Sequence, residues 1–178
     1  MPEEPRHRSF RAMGTTIELT LWGVDAGRAD TAARELAFRA ERWEQIFSRF
    51  RDDSELSRIN RAGGAWMKVS SELAAVVALA QEWFVASGGR FDPTILASLE
   101  RAGYDRPFAA IGTSGTIERP DFPFESSSSR DVLAIALDQR AGAIRLPVGM
   151  RIDLGGIAKG AFVDSVEDLF VDFPGAIV

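Results

Sequence analysis

Near its C-terminal end the sequence reads Arg151-Ile152-Asp153-Leu154-Gly155-Gly156-Ile157-Ala158-Lys159-Gly160. The first four of these residues alternate polar and apolar, which predicts a short, half-buried strand. The apolar residues that follow take helical spacing: Ile157, Ala161, Phe162, Val166, Leu169 and Phe170. Two glycines stand at the junction, where a positive φ or a close backbone approach costs least. The sequence therefore predicts a strand, a glycine turn and the first turn of a helix.

Lys159 falls in the first turn of that predicted helix, at the positive end of the helix dipole. A cation is disfavoured there by roughly 0.3–1 kcal/mol unless an anion binds. Asp153 lies at the end of the predicted strand, beside the same helix terminus. This combination indicates a phosphate site, and the alternative is an ordinary strand-to-helix turn with a solvated lysine. The spacing matches neither the P-loop nor the dinucleotide-binding fingerprint.

The composition is that of a soluble protein with one sizeable core, with 178 residues of which 46% are hydrophobic and 26% charged. The net charge of −5 and the lack of any basic run argue against nucleic acid and anionic membranes as partners. The absence of cysteine excludes disulfides, thiolate catalysis and cysteine-based metal sites. Any bound metal is therefore expected to be a hard cation with oxygen ligands.

Residues 1–9 are polar and charged and include the single histidine, His7, so we expect a disordered N-terminus. These residues do not form a basic-then-apolar leader, and the sequence has no apolar run of membrane-spanning length. The sequence predicts no membrane span, and it predicts either a cytoplasmic protein, as written, or one whose leader is missing from this sequence.

Periodicity and turn signals predict the remaining elements. The predicted strands are residues 17–22, 65–69, 132–138, 143–146 and a strand beginning at 176–178. The predicted helices are residues 25–50, a short helix within 51–60 capped by Asp53 or Ser54, and a helix from Ser70 or Ser71 to about Ala86. Residues 103–131 are expected to be irregular. Pro93 favours an extended Asp92 and the start of a helix, which makes Asp92 an N-cap on local grounds.

Four segments resemble, in order, the motifs of the ApbE family of FAD:protein FMN transferases. They are Met13-Gly14-Thr15, the segment Phe-Ser-Arg-Phe-Arg-Asp-Asp-Ser-Glu-Leu-Ser-Arg-Ile-Asn at 47–60, Ser-Gly-Gly-Arg-Phe-Asp-Pro-Thr at 87–94, and Asp-Leu-Gly-Gly-Ile-Ala-Lys-Gly at 153–160. The resemblance implies an α+β fold with an ApbE-type, T-fold-like domain. Family members are about twice as long, so residues 10–178 are expected to be the N-terminal half of that domain, truncated at its C-terminal side.

The resemblance also implies a reaction: Mg²⁺-dependent transfer of FMN from FAD to a threonine hydroxyl of a target flavoprotein, with release of AMP. The family pattern places Met13, Phe50, Arg90, Phe91 and Asp92 around the flavin. It assigns Asp153 and Lys159 to the cofactor and the Gly156 carbonyl to the metal. On local grounds Met13 could equally pack in the core, and Phe50 could be the last residue of a helical core stripe. No catalytic residue is identified, and the general base is not placed.

Two alternatives stay open beside the transferase. One is a non-catalytic FAD-binding domain, and the other is an inactive fragment without the metal ligands that the family carries in its second half. Family members often have a periplasmic or membrane-anchored location through a lipoprotein leader, which this sequence does not contain. The apolar end Ala176-Ile177-Val178 predicts self-association through an uncovered sheet edge.

Overall fold

The computed structural model describes residues 4–107 and 132–178. Its helices are α1 (Ala26–Phe47), α2 (Glu55–Asn60), α3 (Ser71–Ala86), α4 (Leu96–Arg101) and α5 (Ala158–Ser165). Its strands are β1 (Arg6–Ala12), β2 (Thr15–Trp22), β3 (Met67–Lys68), β4 (Ala136–Asp138), β5 (Ala143–Arg145) and β6 (Gly175–Ile177). Short 3-10 helices cover Pro93–Ile95, Val132–Ala134 and Glu167–Phe170. The chain divides into two compact units, residues 1–45 with 158–178 and residues 46–157.

The first unit contains an antiparallel sheet in the order β1-β2-β6. Strands β1 and β2 form a hairpin whose two turn residues, Met13 and Gly14, have φ of 50° and 70°. Two positive φ angles are typical of the turn type whose twist matches paired strands, and a methionine in that position is uncommon. Among the residues that the structure describes, β6 pairs with β2 and with no other strand. The expected self-association through β6 stays a prediction.

The N-terminal disorder that we expected for residues 1–9 is wrong for residues 6–9. Arg6 to Ser9 belong to β1, where Arg6 lies opposite Leu21. The His7 ring nitrogen Nδ1 lies 2.9 Å from the Thr20 hydroxyl across the hairpin. Polar composition misled the prediction because a strand whose backbone is paired tolerates polar side chains on its solvent face.

Helix α1 presents one apolar face to the core of the first unit, as the periodicity predicted. Its buried residues in this unit are Ala29, Ala32, Leu36, Ala40 and Trp43. Helix α5 contributes Ala158 and Phe162, and Val166 follows at the same spacing. The Trp43 ring packs edge to face against Phe162 at a centroid distance of 5.7 Å, and its indole N–H donates to the Ala158 carbonyl at 3.0 Å. The two helices are therefore joined by both an aromatic pair and a buried hydrogen bond.

An ion pair at the surface of the first unit joins α1 to the 3-10 helix Glu167–Phe170. The Arg39 guanidinium donates to both carboxylate oxygens of Asp168, at 2.7 and 3.0 Å. These hydrogen bonds hold the pKa of the Asp168 carboxyl below its ordinary value. The pair is solvent-exposed, so we expect it to position the segment more than to stabilise the fold.

The helices α2 and α3 of the second unit follow the predicted boundaries closely. Ser54 caps α2 and Ser70 caps α3, each by accepting a backbone N–H three residues further on. The buried face of α3 consists of Leu73, Val76, Val77, Ala80 and Phe84, as the periodicity predicted. The second sheet has the antiparallel order β3-β5-β4. The Asp138 carboxylate closes the β4–β5 turn by accepting the backbone N–H groups of Arg140 and Ala141 at 3.0 and 2.9 Å.

Two predicted boundaries are wrong. The strand predicted at residues 132–138 begins only at Ala136, since Val132–Ala134 form a 3-10 helix. Helix α1 ends at Phe47 rather than at Phe50. The carbonyl of Ser48 accepts the Ser54 hydroxyl at 2.6 Å, so the chain turns away from the helix axis at this point. Phe50 is 37% exposed and is not the last residue of a core stripe. Of the segment that we expected to be irregular, residues 104–107 have no regular structure, and residues 108–131 lie outside the described residues.

Candidate functional site

Residues 151–154 do not form the strand that their alternation predicted. Ile152 and Leu154 are fully buried, so the alternation of burial itself is confirmed. The backbone of Ile152 pairs with a side chain instead of a strand: its N–H donates to Asn60 Oδ1 at 2.8 Å, and its carbonyl accepts Asn60 Nδ2 at 2.9 Å. A single amide therefore takes the place of a neighbouring strand.

We expect Asn60→Asp to lower the free energy of unfolding by about 1–3 kcal/mol, because a carboxylate cannot donate to the Ile152 carbonyl and leaves it unsatisfied. The measurement is chemical denaturation at neutral pH. Gln139→Glu is the matched control, since it makes the same amide-to-acid change at an exposed turn residue, where we expect a change within about 0.5 kcal/mol. Equal losses in both variants would show that the Asn60 pairing contributes nothing.

The Asp153 carboxylate lies where three of the matching sequence segments meet. Its Oδ2 pairs with Arg49 Nε at 2.8 Å, and its Oδ1 accepts the Gly155 N–H at 2.8 Å. The backbone N–H of Asp153 donates to the Pro93 carbonyl at 2.8 Å. The side chains of Arg49 and Asp153 are only 8% and 14% exposed. The segments at 47–60, 87–94 and 153–160 are thus held together by polar contacts at one aspartate.

Arg49 is the residue of this cluster that sequence reasoning missed. Its guanidinium lies over both the Phe50 and the Tyr104 ring, 4.3 Å from each centroid. Its Nη2 also donates to the Tyr104 carbonyl at 2.8 Å. The two rings meet edge to face at a centroid distance of 5.9 Å. The only signal in the sequence is an arginine directly before an aromatic, which does not distinguish Arg49 from the other arginines.

The glycine pair serves a close approach rather than a positive φ. Neither Gly155 nor Gly156 has a positive φ. A Cβ on Gly156 would lie 3.3 Å from Phe91 Cε2, which is tighter than an ordinary contact. Phe91 therefore packs directly against the backbone of Gly156. A predicted flavin residue thus packs against the glycine whose carbonyl is the predicted metal ligand.

Asp92 acts as the N-cap that the local sequence predicted. Its Oδ1 accepts the backbone N–H of Thr94 at 2.8 Å and the Thr94 hydroxyl at 2.6 Å, at the start of the 3-10 helix Pro93–Ile95. Arg90 is exposed and Phe91 is half-buried beside it in the chain. The cofactor contacts expected of these three residues stay predictions.

Met13 and Lys159 belong to the first unit and line one groove of about 450 Å³. Met13 is half-buried and lines this groove, and its predicted flavin contact stays a prediction. Its backbone N–H donates to a carboxylate oxygen of Glu44. Lys159 is exposed in the first turn of α5, as predicted, and Thr16 and Glu18 line the same groove. The groove therefore offers both apolar and charged groups to a ligand.

Residues 13–173 match the model of the ApbE family. The chain belongs to the ApbE family. It is similar to an FAD:protein FMN transferase of Treponema pallidum (strain Nichols), with 30% identity over 174 residues that cover 91% of this chain and 45% of that protein. The chain spans about half the length of the relatives that it matches.

Solved ApbE structures share the fold. The ApbE protein of Thermotoga maritima superposes with a TM-score of 0.77 at 22% identity, covering 97% of this chain and 55% of that one. The flavin transferase ApbE of Vibrio cholerae gives a TM-score of 0.76 at 24% identity, covering 97% and 56%. The predicted α+β, ApbE-type fold is confirmed.

The described part of this ApbE-family chain does not assemble a metal site from side chains. Within residues 4–107 and 132–178, no group of three or more acidic, histidine or cysteine side chains is placed to hold a metal ion. The same residues contain no helix long and apolar enough to cross a membrane. The groups that the structure places at Asp153 are instead the Arg49 guanidinium and, beside that guanidinium, the rings of Phe50 and Tyr104.

Proposed function

We propose that this chain carries the FAD-binding part of an FAD:protein FMN transferase, which moves FMN from FAD to a threonine hydroxyl of a target flavoprotein. The observation that supports this most is the meeting of three family motifs at Asp153. Arg49 reaches the Asp153 carboxylate, Pro93 accepts its N–H, and Phe91 packs on Gly156. Motif residues that also contact one another in the fold support a common site better than motif residues that lie far apart.

The reaction would be a displacement at the pyrophosphate of FAD. The threonine oxygen forms a bond to the phosphorus of the FMN half, the bond to the bridging oxygen breaks, and AMP leaves. The threonine proton passes to a base that we do not assign. Cations near the phosphates and aromatic faces beside the ring system are what such a substrate requires.

We propose Phe50, Arg90, Phe91 and Asp92 as flavin contacts and Asp153 as a residue that holds the cofactor. Phe50 and Phe91 are partly exposed, which leaves ring surface for a flavin. Met13 and Lys159 are the proposed contacts on the groove of the first unit, Lys159 with a phosphate.

We also propose Mg²⁺ for the complete site, with the Gly156 carbonyl as one ligand. Mg²⁺ is usually bound through one or two carboxylates together with phosphates and waters. Asp153 has its carboxylate engaged by Arg49 and the Gly155 N–H, and the described residues provide no carboxylate cluster. These residues alone do not fit a Mg²⁺ site, and we assign no step of the transfer to the metal.

The test is to titrate the purified chain with FAD while following flavin fluorescence, and then to add Mg²⁺ and a threonine-bearing acceptor protein. Tight binding, release of AMP and a covalently fluorescent acceptor band would together support the transferase. Binding without AMP release would support the FAD-binding role and leave transfer by these residues unsupported, which is also the result expected of the second candidate, a flavin-binding domain without transferase activity. No binding of FAD would contradict both.

Lys159→Ala is expected to weaken FAD binding by about 1–3 kcal/mol, because a charge-assisted contact with a phosphate is lost. The loss should become smaller as the salt concentration rises, since salt screens exposed charges. Fluorescence titration at two ionic strengths measures both effects. Lys68→Ala is the matched control, because Lys68 is the chain's other lysine and lies exposed in β3. An unchanged affinity in Lys159→Ala would remove the phosphate contact from the proposal.

Asp92→Asn separates the capping role from the proposed cofactor role. Asparagine caps a helix as well as aspartate does, so the melting temperature should change little. If the carboxylate also contacts the cofactor, FAD affinity should fall while stability is kept. Thermal denaturation and fluorescence titration of the same preparation give the two values. Small, equal effects on both would leave Asp92 as a cap and nothing more.

A further inference from the structure

Arg49 contacts two residues to which the proposed function gives different roles, Asp153 and Phe50. On one side Nε donates to Asp153 Oδ2 at 2.8 Å, and on another Nη2 donates to the Tyr104 carbonyl at 2.8 Å. The guanidinium carbon Cζ also lies over the rings of Phe50 and Tyr104. One side chain thus contacts a proposed cofactor-holding carboxylate and a proposed flavin-contacting ring.

We propose that Arg49 is a positioning residue, which fixes the Asp153 carboxylate and the Phe50 ring in the arrangement that binds FAD. The inference rests on the proposed function for the identity of the ligand. It assigns no direct contact between Arg49 and FAD, because the Arg49 side chain is 8% exposed and its polar atoms face protein groups. Arg49 acts through its neighbours.

Only arginine can make this set of contacts. Its guanidinium is planar, stacks on aromatic faces and donates in several directions within its plane. It is also hydrated more weakly than an ammonium group, so its burial costs less. A lysine at position 49 would keep the positive charge near Asp153, but its compact ammonium could not lie over both rings, pair with Asp153 and reach the Tyr104 carbonyl at the same time.

Loss of Arg49 would affect the backbone that follows Asp153. The Asp153 carboxylate that Arg49 holds also accepts the Gly155 N–H, and Gly156 comes next, packed on Phe91. A carboxylate that is free to turn no longer holds the Gly155 amide. We therefore expect the segment from Asp153 to Gly156 to loosen, together with the contact between Gly156 and Phe91.

The first test compares Arg49→Lys with Arg151→Lys. Arg151 pairs with Glu100 in a more exposed position, where lysine can replace it. Arg151→Lys is therefore the control for the effect of an arginine-to-lysine substitution. In Arg49→Lys we expect the Kd for FAD to rise roughly 10- to 100-fold. We expect the melting temperature to fall by less than about 4 °C in both variants. An unchanged Kd in Arg49→Lys, whatever its melting temperature, would overturn the proposal.

A double-mutant comparison shows whether Arg49 works through Asp153. If it does, Arg49→Lys should raise the Kd much less in an Asp153→Asn background than in the unmodified chain. The same fold-change in both backgrounds would overturn the proposal. Should Arg49→Lys fail to fold, Tyr104→Leu removes one stacking ring and keeps Arg49. It should raise the Kd in the same direction, and an unchanged Kd there would count against the proposal.

Hydrogen exchange without FAD separates this proposal from the proposed function. The Gly155 amide should exchange faster in Arg49→Lys than in the unmodified chain or in Arg151→Lys. If the unmodified chain does not bind FAD but this amide responds, the proposed function fails, while the restraint of the Asp153–Gly156 segment by Arg49 is still supported. If the unmodified chain binds FAD while Arg49→Lys changes neither exchange nor affinity, the positioning role fails and the proposed function stands.

Discussion

Phe162→Ala is expected to lower the free energy of unfolding by about 3–5 kcal/mol, the usual cost of removing a buried aromatic side chain. Phe162 is 1% exposed and packs edge to face on Trp43. Truncation would remove that contact and leave a cavity beside the indole, which the surrounding helices can fill only in part. Chemical denaturation followed by tryptophan fluorescence measures the loss.

Phe38→Ala is the matched control for this experiment. Phe38 lies on α1 in the same unit, but its side chain is 68% exposed. We expect its removal to change stability by no more than about 0.5 kcal/mol. Similar losses in the two variants would mean that Phe162 does not form part of the core around Trp43.

The elements that the sequence predicted best are those whose determinants are local. The five buried residues of α3 recur at helical spacing, and Ser70 precedes them as an N-cap. The spacing of apolar residues within a few helical turns is therefore enough to predict which face of α3 is buried. Asp92 is a similar case, since its bond to the Thr94 N–H needs only the two residues that follow it.

The elements that it predicted wrongly depend on partners far along the chain. Residues 151–154 alternate as a strand does, but Asn60 rather than another strand takes the hydrogen bonds of Ile152. Nothing within the segment distinguishes these two partners. Residues 6–9 were misjudged for the same reason, because their pairing with β2 offsets a polar composition that suggests disorder.

The sequence predicted part of the candidate site and missed another part. Resemblance to known motifs identified Phe50, Phe91, Asp153 and Gly156, and the structure brings them near Arg49 or near one another. Arg49 itself was missed because its role comes from two rings and a carboxylate that only the fold assembles. The FAD contacts stay predictions, since they depend on the ligand as well as on the protein.

The pair of Arg49 and Asp153 gives the second large expected effect. Asp153→Ala would leave the Arg49 guanidinium without its carboxylate in a position where that side chain is 8% exposed. Breaking a buried ion pair by removing one partner typically costs about 3–5 kcal/mol, because the remaining charge is desolvated and uncompensated. We expect a loss of that size in the free energy of unfolding, measured by chemical denaturation in the absence of FAD.

Glu100→Ala tests whether burial is the cause. Glu100 also pairs with an arginine, Arg151, but these two side chains are 34% and 41% exposed. Water can solvate Arg151 once its partner is removed, so the expected loss is about 0–1 kcal/mol. A small loss in Asp153→Ala, equal to that of Glu100→Ala, would mean that Arg49 finds other compensation, for example from the Tyr104 carbonyl and the two rings. A large loss confined to Asp153→Ala would make Asp153 a residue of the fold as well as of the proposed site, so Asp153→Asn is the variant with which to test FAD binding.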